Sequence, residues 1–214
     1  MREIDSEYEC CYRNCINTEK PNGNCIKGYG FGNIIDDENI KYVMGKGGYN
    51  KCVFVSAENP FNKPQICSNY SLYYFEIKCK IEGELNNVEK FMNRIGIRNS
   101  STTEYVRYSA KFATHFNEQE DNATNFNNND IFGFGLVYPP TNKMKKEFPY
   151  IFFTKNGEQI NNCALVEHNS VSYKPYVWLK CCSIEANFGN DLESKPFKYD
   201  ISKHLILKEF DDFY

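Results

Sequence analysis

Short runs of aromatic and β-branched residues recur along most of this 214-residue chain, and turn-forming residues separate them. Such residues favour β-strands because their side chains pack well on a pleated, half-buried surface. No amphipathic pattern is long enough to predict a core helix. Many short strands joined by turns are typical of an antiparallel β-sandwich or barrel. The predicted strands are 40–44, 52–55, 72–81, 94–97, 105–108, 131–138, 150–154, 176–179 and 183–188.

Three segments also predict which strand faces are buried or where a hairpin turns. Residues 74–81 alternate between apolar and charged side chains, which predicts a strand with one face in the core and the other, with Glu76, Lys78 and Lys80, in water. Residues 131–138 are apolar except for Gly133 and Gly135, as expected of a central strand buried on both faces, whose glycines admit aromatic side chains of the opposing sheet or a bulge. Asn156-Gly157 between two apolar runs predicts a hairpin turn.

Composition excludes several classes of protein. A hydrophobic content of 41% is too high for a disordered chain, and 25 Lys+Arg against 28 Asp+Glu give no global attraction to nucleic acid. No apolar stretch is long enough to span a bilayer, and the charged N-terminus does not resemble a signal peptide. We therefore expect an intracellular chain, cytoplasmic and also nuclear, whose partner is neither nucleic acid nor membrane. The sequence does not indicate an oligomeric state.

The ten cysteines raise the question of a metal site. Cys10, Cys11, Cys15 and Cys25 could ligate zinc as thiolates. Their spacing lacks the paired Cys-x2-Cys knuckles that preform a tetrahedral site, and no histidine lies near them, so free thiols and no bound metal are the favoured prediction. Cys181-Cys182 is predicted to be a reduced pair on a loop, because a ring between adjacent cysteines is strained.

The sequence gives no positive case for catalysis. It contains no G-x-S-x-G, H-E-x-x-H or P-loop motif, and its three histidines are scattered along the chain. We therefore predict that the protein is not an enzyme and needs no cofactor.

Several motifs, in order, resemble a SPRY domain. They are Leu72-Tyr-Tyr-Phe-Glu-Ile-Lys, Ile95-Gly-Ile, Asp130-Ile-Phe-Gly-Phe-Gly-Leu and Ile151-Phe-Phe-Thr-Lys-Asn-Gly. Ile184-Glu-Ala-Asn-Phe-Gly with Pro196-Phe-Lys-Tyr-Asp-Ile is most similar to the Ran-binding-protein-M branch of that family, and 42–48 and 53–60 resemble its opening strands. The resemblance covers roughly residues 34–202.

The resemblance implies a fold and a role. The fold would be a bent two-layer antiparallel β-sandwich, a concanavalin-like jelly roll, over residues 34–202. An irregular cysteine-containing extension would precede it at 1–33, and a tail would follow at 203–214. The role would be non-enzymatic protein binding, as an adaptor or substrate-recognition part of a ubiquitin-ligase assembly.

Rim loops of the sandwich are the predicted binding site. We expect them to form one shallow cleft for a short peptide of unidentified sequence, with backbone capture and aromatic anchors supplying affinity. For Trp178, packing on a sheet face is favoured over a role as an exposed anchor. The predicted peptide-binding residues are Lys46, Lys51, Ser101, Thr103, Arg107, Tyr108, Lys180, Cys181 and Cys182.

Two alternatives belong to other classes. A lectin-like sandwich would bind sugar through Asn127–Asp130 with Trp178 as a stacking platform. A zinc-dependent regulator or enzyme would use the four N-terminal cysteines. A glycan array with and without chelator tests the first, and metal analysis tests the second.

Overall fold

The chain folds into two antiparallel sheets packed face to face. The computed structural model describes residues 1, 3–4, 9–13, 15–16, 23–47, 49–83, 92–102, 104–109, 114–115, 127–142, 148–166 and 170–206. Its strands are β1 (Glu3–Ile4), β2 (Phe31–Ile34), β3 (Asn39–Val43), β4 (Val53–Ser56), β5 (Phe61–Asn62), β6 (Ser71–Ile81), β7 (Met92–Asn99), β8 (Tyr105–Ser109), β9 (Thr114–His115), β10 (Ile131–Tyr138), β11 (Tyr150–Lys155), β12 (Glu158–Leu165), β13 (Ser172–Lys180) and β14 (Cys182–Asn187).

Each sheet has seven strands among these residues. Sheet 1 has the order β1-β4-β13-β7-β8-β9, with β5 also paired to β13, and sheet 2 has the order β12-β11-β10-β6-β14-β3-β2. The predicted two-layer antiparallel β-sandwich is therefore confirmed. Its core lies between the sheets and is built from the inward residues of both, among them Val55, Phe75, Ile77, Ile95, Ile97, Phe134, Phe153, Val177 and Leu179.

Strand β6 follows its predicted alternation with one exception. Phe75, Ile77 and Cys79 are fully buried in the core, while Lys78 and Lys80 are exposed. Glu76 was expected in water, yet only 4% of its surface is exposed. The reason is tertiary, because a segment far along the chain covers it: the backbone N–H groups of Lys198 and Tyr199 both donate to its carboxylate.

Strand β10 is a central strand, as predicted, between β6 and β11. Its two glycines make room for rings from the adjacent strands β6 and β11 of the same sheet, and not from the opposing sheet as predicted. A Cβ on Gly133 would lie 1.9 Å from the Tyr74 hydroxyl, and one on Gly135 would lie 2.0 Å from Cε1 of Phe152. The predicted hairpin turn is also confirmed, with Asn156 and Gly157 at φ values of 53° and 91° joining β11 to β12.

Described residues near each terminus contact the sandwich. Glu3–Ile4 pair with β4 and Phe31–Ile34 pair with β3, so sheet residues occur before residue 34. A 3-10 helix spans Ile201–Lys203, and the His204 ring after it stacks on Phe152 at 3.9 Å. Among the described residues, no helix has the length and hydropathy needed to cross a membrane.

Candidate functional site

The outward side of sheet 1 is defined by the register of its central strands. Ile95, Ile97, Val177 and Leu179 point into the core, so the residues between them point away from it, since successive residues of a strand face opposite sides. Across β13, β7 and β8, the aligned outward sets are Lys174, Arg98 and Tyr105, then Tyr176, Gly96 and Arg107, then Trp178 and Arg94.

This outward side is strongly basic. Strands β4, β7, β8 and β13 contain no aspartate or glutamate, although the whole chain has a net charge of −3. We call the outward side of these four strands the basic face. Its cations and aromatic residues are Phe54, Arg94, Arg98, Tyr105, Arg107, Lys174, Tyr176, Trp178 and Lys180.

The aromatic rings of the basic face pack on one another and under an arginine. The Phe54 ring stacks on Tyr176 at 4.9 Å, and Tyr105 meets the edge of Tyr176 at 5.3 Å. Cζ of Arg94 lies 4.6 Å from the centre of the Trp178 ring, a cation–π contact. This packing holds half-buried side chains of Arg94, Tyr105 and Trp178 in defined positions while part of each stays accessible.

Tyr176 lies at the centre of this cluster. Its hydroxyl is fully buried and has no hydrogen-bond partner among the described residues. Burial raises the pKa of Tyr176, and the positive charges of Arg107 and Arg94 act in the opposite direction. The hydroxyl is therefore a buried neutral group that is exposed to the electrostatic field of two arginines.

Two of the predicted binding residues, Lys180 and Lys51, lie towards one end of sheet 1, and a third, Lys46, follows β3 of sheet 2. Lys180 ends β13, and its Nζ is 5.0 Å from the ring centre of exposed Tyr49. Lys51 precedes β4 and donates from Nζ to the Glu9 carbonyl at 2.8 Å. Lys46 is exposed in the turn after β3.

The structure does not place Ser101, Arg107 or Tyr108 at this end of sheet 1. Ser101 lies in the β7–β8 turn beside Asn99, which is opposite Tyr173, seven residues along β13 from Lys180. At about 3.3 Å per strand residue, this separates the two ends by about 23 Å. Arg107 lies between them on the basic face, and Tyr108 lies opposite Ile95. Thr103 is outside the described residues.

The vicinal cysteines are a correction. Cys181 and Cys182 were predicted to contact a peptide from a loop, but both are completely buried in the core. Cys181 turns the chain between β13 and β14 with a φ of 55°, and Cys182 begins β14. Neither side chain can contact a ligand, because the sandwich itself encloses them.

Sequence reasoning missed Arg94, Arg98 and Lys174. The sequence does contain a pattern that points to them. In Arg94-Ile-Gly-Ile-Arg98 the two isoleucines belong to the core, so the two arginines face the other side of the strand. Lys174 is an even number of residues from Tyr176 and Trp178, so all three face the same side of their strand. Aligning these separate segments requires the register of β7 against β13, which no local pattern specifies.

The proposed sugar site does not assemble. Trp178 lies on the outward side of sheet 1, whereas Asn127–Asp130 lead into β10 of sheet 2. The Asp130 carboxylate already bonds Lys155 at 3.1 Å and Asn156 at 2.9 Å. Burial opposes ionisation, but these two groups and the Asn127 backbone N–H hold the pKa of Asp130 below its usual value. The carboxylate thus secures the β11–β12 hairpin.

The four N-terminal cysteines do come together. Cys10, Cys11 and Cys25 are buried and Cys15 is half-buried, and all four Sγ atoms lie within 4.8 Å of one another. All are free thiols. Burial raises the pKa of Cys10 to about 12, whereas a hydrogen bond from the Arg13 backbone lowers the pKa of Cys11 to about 6.

Comparisons with known proteins bear on the fold. No family model matches the chain, and no curated protein matches it. A solved human SPRY domain is similar over 74% of this chain and 96% of that one, with 17% identity and a TM-score of 0.52. Peanut lectin with a 9-residue peptide is similar over 79% of this chain and 94% of that one, with 10% identity and a TM-score of 0.41, too loose a likeness to bear on function.

The SPRY similarity agrees with the two-sheet topology and with the ordered motifs on β6, β7, β10 and β11. At this level of identity it concerns the fold and leaves the Ran-binding-protein-M branch a prediction. The chain therefore has a SPRY-type, concanavalin-like β-sandwich fold.

Proposed function

We propose that this protein is a non-enzymatic protein-interaction module whose basic face binds an acidic segment of a partner protein. The observation that carries the proposal is the concentration of five cations, without any acidic residue, on four adjacent strands of a chain that is acidic overall. Complementary charge steers association and selects the partner.

The arrangement of the cations supports a binding role over a purely structural one. Arg98 and Lys174 lie directly opposite each other in the β7–β13 register. Like charges in that position destabilise a sheet. Both side chains are half-buried on the outward side of sheet 1, so the pair places two positive charges side by side for a ligand that carries carboxylates.

The aromatic residues favour a protein over a nucleic acid as the ligand. Single-stranded nucleic acids bind basic sheets by stacking bases on open ring faces. Here Phe54 and Tyr176 cover each other, and the guanidinium of Arg94 covers Trp178. The rings instead form a rigid floor that positions the arginines, whose planar guanidinium groups suit bidentate binding of carboxylates.

Reversing two charges on the basic face tests the proposal. The variant Arg98→Glu with Lys174→Glu is expected to weaken binding of fluorescently labelled acidic peptides by about tenfold or more, because two attractions become repulsions. A thermal melt of the variant checks that it is folded, so that weaker binding can be assigned to the changed charges. Fluorescence anisotropy measures the affinity, and raising the salt concentration should weaken wild-type binding.

The matched control is Lys78→Glu with Lys80→Glu. This pair changes the net charge equally, on exposed positions of sheet 2. The control should bind like the wild type. Equal loss in both variants would show a general charge effect and reject the basic face as the site, and tighter binding of RNA than of any acidic peptide would reject a protein ligand.

The ubiquitin-ligase role is a finer part of the proposal, motivated by the resemblance to the Ran-binding-protein-M branch. We expect ubiquitin-ligase subunits among the proteins that the wild type captures from cell extract and that the Arg98→Glu, Lys174→Glu variant does not. Mass spectrometry of the two captured sets makes the comparison, and their absence from the wild-type set would remove this role.

A further inference from the structure

The cysteine cluster has the dimensions of a single-metal site. The Sγ of Cys15 is 3.5 Å from those of Cys10 and Cys11, and the Sγ atoms of Cys10 and Cys11 are 3.9 Å apart. A zinc–sulfur bond of about 2.3 Å in a tetrahedral site places neighbouring sulfurs about 3.8 Å apart. A disulfide would need about 2.05 Å, so these separations match the edges of a zinc tetrahedron.

The backbone around the cluster is arranged as it is around thiolate ligands. The N–H of Ile26 donates to the Sγ of Cys15 at 3.4 Å, and the backbone N–H groups of Arg13 and Ile16 bond to Cys11 and Cys10. Outer hydrogen bonds of this kind fix the orientation of metal-ligating side chains. The turn after Cys25 is closed by Gly28, whose N–H donates to the Cys25 carbonyl at 2.8 Å and whose φ is 66°.

We propose that Cys10, Cys11, Cys15 and Cys25 bind one zinc ion as a closed structural site of four thiolates. Zinc is favoured because four thiolates in a tetrahedron are its characteristic structural ligand set. A polynuclear iron–sulfur cluster is disfavoured because it holds its cysteine sulfurs farther apart than a single ion does. The proposal is independent of the binding function of the basic face.

The location of the cluster indicates which part of the fold a bound ion would stabilise. Three of the cysteines lie within residues 9–13 and 15–16 and the fourth within 23–28, and the cluster packs with Ile16 against Phe31 of β2 and Val43 of β3. Strand β2 is at the edge of sheet 2. An ion here would fasten both segments over an edge that would otherwise be open to pairing with another chain. The nearby Lys51 ammonium, bonded to the carbonyl before Cys10, would offset part of the charge of four thiolates.

Metal analysis of the full chain tests the proposal. Protein purified under reducing conditions without a metal-affinity tag should carry one zinc ion per chain by elemental mass spectrometry. Replacing the zinc with cobalt(II) should produce the visible absorption bands of tetrahedral coordination and the near-ultraviolet charge-transfer bands of thiolate ligands. The cobalt experiment needs no variant, so a folding defect cannot obscure it.

Serine variants identify the ligands. Cys15→Ser and Cys25→Ser should each lose most of the bound zinc, while Cys67→Ser, at a half-buried thiol bonded to Asn69 and Ser71, should keep it. The cysteine cluster is separate from the main core, so circular dichroism should show an intact sandwich in all three. A reduced wild type without metal, one equivalent of iron in place of zinc, or zinc retained in Cys15→Ser and Cys25→Ser would each overturn the assignment.

Discussion

Gly135→Ala is expected to lower the free energy of unfolding by about 3 kcal/mol, because the added methyl group has no space. Its Cβ would lie 2.0 Å from Cε1 of Phe152. That ring cannot move aside, since it is fully buried with His204 stacked on it at 3.9 Å. For a chain of this length, we expect the melting temperature to fall by about 10 °C in differential scanning calorimetry.

Gly47→Ala separates this steric effect from backbone strain. Gly47 has a φ of 82°, but a Cβ there would meet nothing within 4 Å. Its cost should be about 1 kcal/mol, from the left-handed backbone alone. Equal stability of Gly135→Ala and the wild type would mean that β10 and β11 do not pack as described.

Glu76→Ala is expected to lower the free energy of unfolding by a similar amount, about 3 kcal/mol, since it removes the acceptor of two part-buried backbone N–H groups and of the buried Tyr74 hydroxyl. Oε1 of Glu76 accepts from the Tyr74 hydroxyl at 3.0 Å and the Tyr199 N–H at 2.9 Å, and Oε2 accepts from the Lys198 N–H at 2.8 Å. Chemical denaturation measures the loss, and hydrogen exchange of the amides of residues 198 and 199 should accelerate.

Two further variants test how much the Glu76 carboxylate contributes to stability. Glu76→Gln keeps one acceptor oxygen and should lose less stability than Glu76→Ala. Glu185→Ala removes a carboxylate that is 44% exposed and should have little effect, as surface ion pairs contribute little. Unchanged protection of the two amides in Glu76→Ala would contradict the proposed anchoring of the C-terminal segment.

Glu76 also shows where local sequence patterns reach their limit. The alternation in β6 correctly predicts its core face, because strand periodicity is a local property. It could not show that a segment near residue 198 would cover the opposite face. Strand β12 was missed for a related reason, since Glu-Gln-Ile-Asn-Asn is polar and becomes a strand through pairing with β11.

The candidate sites illustrate the same limit in two ways. Arg107 and Lys180 could be selected from the sequence, but only the alignment of β8, β7 and β13 joins them to Arg94 and Lys174. The spacing of the four cysteines in the sequence argues against a metal site, because it lacks the paired Cys-x2-Cys knuckles that preform a tetrahedral site. The structure instead brings the four thiols together from two segments that fold back on β2 and β3, which spacing alone does not reveal.

The most direct measurement of the central proposal is site-specific photocrosslinking to the partner in cell extract. Benzoylphenylalanine in place of Tyr105, half-buried on the basic face, should form a covalent adduct that excess acidic peptide suppresses. The same side chain in place of Lys78, exposed on sheet 2, should form none. An adduct from position 78 and none from position 105 would contradict binding at the basic face.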